Sequence, residues 1–109
     1  MPTIREIVNG DYQFHYEICF GDDEWVNQST TAILYISAQN FLMSRFNLTI
    51  IDDDGYKCRL KNESDDIVEI INDSACYWID LAAIKITSIT NVQLRQAAED
   101  WIVMIENAA

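Results

Sequence analysis

The chain holds one histidine, His15, and three cysteines, Cys19, Cys58 and Cys76. A thiol beside an imidazole is the simplest nucleophile–base pair these residues can make. It requires the sulfur within hydrogen-bond reach of the ring. If His15 and Cys19 share a strand, four residue steps separate them by about 13 Å, which is too far. Cys58 or Cys76 would have to approach from another strand, and no nucleophile motif surrounds either of them. The expectation is no catalytic residue and no enzyme, with His15 half-exposed on a strand.

Metal and phosphate chemistry fare no better. Asp52-Asp53-Asp54-Gly55 has the outline of a calcium loop. Aligning Gly55 with the loop glycine puts Ile50 at the first ligand position and Lys61 at the closing glutamate. Neither residue can supply a carboxylate. The Cys, His and carboxylate positions show no zinc spacing. Gly10, Gly21 and Gly55 are scattered, so there is no glycine-rich phosphate loop. No metal and no cofactor are expected. An odd number of cysteines without a CxxC pair does not make a disulfide framework. The three thiols read as free, buried, small apolar groups.

Charge is the most informative property. In 109 residues there are 18 Asp and Glu against seven Lys and Arg, a net charge of −11. Nucleic-acid binding rests on Lys and Arg neutralising phosphates, so a direct nucleic-acid ligand is excluded. Eleven of the 18 acids lie between Asp22 and Asp73, mostly where turns are expected. The candidate partner-binding residues are Asp22, Asp23, Glu24, Trp25, Asp52, Asp53, Asp54, Tyr56, Asp65 and Asp66. If these turns gather at one end of a sheet, they form a negative patch that steers a basic partner, with Trp25 and Tyr56 as aromatic anchors. If they scatter, the charge serves solubility.

The elements that must position these residues are read from periodicity. Thr3 and Glu6 have capping-box spacing, and Gly10 follows as a stop, which predicts a short N-terminal helix. Tyr12, Phe14, Tyr16, Ile18 and Phe20 alternate with polar residues, which predicts a strand with one apolar face. Ala32–Ile36 is expected to be a buried strand, followed by a short helix or turn near 38–43 and a strand at 45–51. Asp52–Gly55 reads as a hairpin turn, with Tyr56–Leu60 returning. Ile67–Ile71 and Cys76–Ile79 suggest a second hairpin turning at Asn72-Asp73, and Leu81–Ile89 a further strand. The C-terminal helix is the best marked. Thr90 and Gln93 form a capping box, Ile89 and Leu94 a hydrophobic staple, and Leu94, Ala97, Ala98, Trp101, Ile105 and Ala108 an apolar stripe.

The expected fold is a single α+β domain spanning 1–109. It has a mainly antiparallel sheet of about five to seven strands, free to curve, with the C-terminal amphipathic helix on one face. The N-terminus lacks a basic region followed by an apolar one, and no run reaches the roughly 20 apolar residues of a membrane span. A cytoplasmic protein with no membrane contact is expected.

In composition the chain resembles phage anti-defence proteins and bacterial immunity proteins, which are small, acidic and single-domain. That resemblance implies an inhibitor or sequestering module engaging a basic, nucleic-acid-handling protein. Two alternatives belong to other classes. One is an assembly module forming a homo-oligomer, with Val103 and Met104 widening the apolar stripe. The other is a small-molecule binder around Tyr12, Phe14 and Tyr16, residues that equally well form an ordinary core.

Overall fold

The elements run in chain order as β1 (Thr3–Asn9), β2 (Gln13–Cys19), α1 (Gln28–Phe46), β3 (Thr49–Asp53), β4 (Lys57–Lys61), β5 (Ile67–Asp73), β6 (Trp78–Lys85) and α2 (Asn91–Ala108). This computed structural model describes residues 3–9, 13–19, 28–73, 78–85 and 88–108. The strands form one six-stranded sheet in the order β1-β2-β6-β5-β4-β3, and every pair is antiparallel. Strands β3 to β6 are a meander, and β6 closes it by pairing with the β1–β2 hairpin.

Period-two alternation divides the sheet into two faces. Tyr16, Ile18, Cys58, Leu60, Val68, Ile70, Ile79 and Leu81 are buried on one of them. The register confirms that they lie side by side: Tyr16 is opposite Leu81, Leu81 opposite Ile70, and Ile70 opposite Cys58. Both helices cover this face, α1 against β5 and α2 against β2 and β6. Leu34, Tyr35, Ala38 and Leu42 of α1 and Leu94, Ala97, Ala98 and Trp101 of α2 complete the core. The indole N–H of Trp101 donates to Ser37 Oγ at 3.1 Å and ties the helices together.

The C-terminal helix forms as its sequence prescribes. The Thr90 N–H donates to Gln93 Oε1 at 2.8 Å, and the Gln93 N–H donates to Thr90 Oγ1 at 3.2 Å. These bonds satisfy two of the donors that a helix start leaves open. The β3–β4 turn is as expected. Gly55 has φ 86°, which glycine adopts without steric cost, and the Asp54 N–H donates to the Lys57 carbonyl at 3.1 Å.

Three expectations are corrected. The N-terminal helix is a strand: β1 pairs with β2 from Thr3 opposite Cys19 to Asn9 opposite Gln13. An isolated helical turn fixes several residues for one hydrogen bond, whereas Thr3, Ile4, Ile7 and Val8 are β-branched and suit a pleated surface. Ala32–Ile36 is not a strand but part of the 19-residue α1, which also absorbs the start of the strand expected at 45–51. The helix ends on a Schellman turn. Asn47 takes φ 53°, and the Leu48 N–H donates to the Met43 carbonyl at 3.1 Å. The strands expected at 76–79 and 81–89 are one element, β6, ending at Lys85.

Candidate functional site

The two described acidic turns sit at opposite ends of β4. The β3–β4 turn follows Asp52 and Asp53 and carries Asp54 and Tyr56. The β4–β5 turn carries Glu63, Asp65 and Asp66. Five residues of strand lie between them, about 17 Å, so these turns do not share one patch. Asp73, the last residue of β5, lies at the same sheet end as the β3–β4 turn, since Ile71 is opposite Lys57. So does Cys19, the last residue of β2, opposite Trp78 at the start of β6. Asp22, Asp23, Glu24 and Trp25 fall outside the described residues.

The acids at these turns differ in what they do. Asp53 points to the helices. It accepts from the Tyr35 hydroxyl at 2.9 Å, the Gln39 amide at 2.9 Å and the Gly55 N–H at 3.0 Å. The Gly55 N–H above all, then the two side chains, hold its carboxyl below the usual carboxylate range. Asp54 accepts the N–H groups of Lys57 at 2.7 Å and Tyr56 at 2.9 Å, and those bonds lower its pKa too. Asp52 and Tyr56 are exposed, and Tyr56 has 56% of its surface free.

At the far turn, Asp65 has φ 65° and pairs with Lys61 at 2.9 Å. Asp66 is fully enclosed. It accepts from the backbone and hydroxyl of Ser88 and from the Asn62 amide. Asp66 therefore contributes no carboxylate to the surface, and its sequence neighbours did not reveal this.

The helix-free face of the sheet is laced with ion pairs. Arg5 meets Glu17 across β1 and β2. Arg59 and Lys57 both reach Glu69 on β5, at 3.1 and 3.9 Å. Elsewhere Arg45 pairs with Asp100, and Arg95 with Glu6 and Glu99. Together with Lys61, each of the six basic side chains described is matched to a carboxylate. Exposed pairs of this kind add little stability, but they neutralise the cations and leave the surrounding field negative.

His15 and Cys58 cannot cooperate. His15 lies on β2 on the helix-free face, while Cys58 is buried under the helices on β4. Three strand spacings separate them, about 14 Å. Cys76 lies outside the described residues. Of the aromatics considered for a ligand pocket, Tyr16 is core, and its hydroxyl donates to the Asn91 carbonyl at 3.0 Å. Tyr12 lies outside the described residues.

The structure adds a surface of which the sequence reading named only Met104. Ile33, Ile36, Ser37, Asn40 and Phe41 of α1 and Met104 of α2 line an open groove of about 460 Å³. A signal was present, because no charged residue occurs from Trp25 to Ser44. Among the described residues, no helix is long and apolar enough to cross a membrane. Compared with protein-family models, curated proteins and solved structures, the chain matches none of them.

Proposed function

We propose that this chain is an acidic, non-enzymatic binding protein that inhibits or sequesters a basic, nucleic-acid-handling protein in the cytoplasm. The observation that carries the reading is the pairing of every described basic side chain with a carboxylate. In a chain of net charge −11, that leaves a surplus of acids to meet Lys and Arg of a partner. The contact region we assign is the β3–β4 end of the sheet. Asp52 and Asp54 supply charge there and Tyr56 an exposed aromatic anchor. Asp22, Asp23, Glu24 and Trp25 keep the role in this proposal that their residue types imply. Asp65 stands at the other end, and Asp66 acts inside the fold.

The test is affinity capture from the native host's lysate at low salt, followed by a salt gradient. The expected result is a basic, nucleic-acid-handling protein that salt releases and duplex DNA displaces. Asp52→Lys and Tyr56→Ala should each weaken capture, both positions being exposed. A partner retained at high salt, or unaffected by both substitutions, overturns the proposal.

A further inference from the structure

Of the two helices on the sheet, α1 is the charge-poor one, while α2 carries Arg95, Glu99, Asp100 and Glu106. The 19 residues of α1 contain no acid and one base, Arg45, and Arg45 is engaged by Asp100 and stacks on Phe41. Yet α1 exposes apolar residues on its outward side, beside the uncharged Asn40 and Ser44. Ile33 and Ile36 are 67% and 54% exposed, and Val103 and Met104 of α2 are 55% and 43% exposed. A surface helix normally turns a polar face to water. None of the six residues lining the α1–α2 groove carries a charge.

We propose that this face is the interface between two copies of the chain, packed about a two-fold axis with Ile33, Ile36 and Met104 buried between them. Charge selects the occupant. A basic partner is drawn to carboxylates, and α1 offers it none. Two copies of a −11 chain repel wherever acids face acids, and α1 against α1 is an arrangement that avoids this. Asp100, one turn from Met104, is paired with Arg45, and physiological salt screens the remaining acids over about 8 Å. A two-fold interface also requires a self-complementary patch, and an uncharged apolar ridge beside a groove meets that condition. Helices of 19 and 18 residues are about 28 Å long and about 10 Å across, an outer face of about 560 Å². Stable interfaces bury about 800 Å² per partner, so this smaller face makes a weak dimer that forms at high protein concentration.

Sedimentation equilibrium on the full chain tests the proposal, with Ile33→Glu, Ile36→Glu and Met104→Glu as variants and far-UV circular dichroism as the folding control. The wild type should sediment as a dimer whose association tightens as salt is added, because screening removes repulsion between the acidic copies. Each folded variant should sediment at half the mass. A wild type that stays monomeric at its highest soluble concentration in high salt overturns the proposal, as does a dimer that all folded variants retain. Capture of a basic partner is a separate readout at Asp52 and Tyr56, so either proposal can fail alone.

Discussion

Asp66 and Ser88 are 22 positions apart, and the Ser88 N–H donates to the enclosed Asp66 carboxylate at 3.0 Å, with the Ser88 hydroxyl donating to the same group. The pair fastens the β4–β5 turn to the segment that enters α2. A buried carboxylate is tolerated only when its acceptor sites are filled, and Asn62 Nδ2 completes the set at 2.9 Å.

Replacing Asp66 should therefore act on stability. Asp66→Ala leaves the Ser88 and Asn62 donors without their charged acceptor, and hydrogen bonds to charged groups contribute about 1.5–3 kcal/mol each. The expected loss is about 3 kcal/mol in urea unfolding. An exposed control, Glu63→Ala, should change the midpoint little. Equal effects would show that Asp66 is not the fastening.

Acid should weaken the fold through Asp53. Its folded pKa is lowered by the Gly55 N–H first and by Tyr35 and Gln39 after, while an unfolded aspartate titrates near about 3.9. The stability this carboxylate contributes is complete above the unfolded value and lost as pH falls through the folded one. The urea midpoint should hold steady from neutrality to about pH 5 and decline below about pH 4. In Asp53→Asn the decline should be shallower, and an identical decline would assign it elsewhere, for instance to Asp54 or Asp100, whose pKa values are also lowered.

Cys58 should resist thiol reagents. It is wholly enclosed on the helix side of β4, and burial, aided by the Asp53 charge, pushes its thiol up to about 11. A raised thiol pKa contributes stability below the unfolded value, about 8.5, and loses it as pH rises through the folded one. Alkylation followed by peptide mass mapping should label partly exposed Cys19 in the native protein. Cys58 should be labelled only as urea unfolds it. Native-state labelling of both at one rate would contradict this.

Trp101 should couple the two helices. It is 1% exposed, and truncating a buried tryptophan to alanine costs about 3–5 kcal/mol. Ser37→Ala removes only the acceptor of its indole N–H, at about 1 kcal/mol. In a double-mutant cycle, Trp101→Phe and Ser37→Ala should cost less together than the sum of their separate effects. Strict additivity would mean that the 3.1 Å contact contributes nothing.

Local signals proved dependable where their partners are close in sequence. Thr90 and Gln93 are three residues apart, and their reciprocal cap forms as the spacing implies. Tyr16 and Ile18 point inward as the alternation of β2 requires. The Thr3/Glu6 spacing is equally suggestive, yet Glu6 pairs with Arg95 at 3.7 Å because β2 captures the whole segment as a strand. Ala32–Ile36 misled for another reason. Apolar residues on both sides of a helix leave a continuous run that periodicity cannot distinguish from a buried strand.

Composition and local pattern alone determined the −11 charge, the capped C-terminal helix, the Asp-Gly turn and the α+β class. Tertiary structure decided the rest: that residues 3–9 are a strand, that α1 exposes Ile33 and Ile36, and that Asp52–Asp54 and Asp65 lie at opposite ends of β4 while Asp66 is inside. Caps, turns and alternation depend on backbone bonds within a few residues. Which face is covered, and whether a carboxylate meets water or a distant N–H, depends on partners many residues away, as Asp66 shows with Ser88.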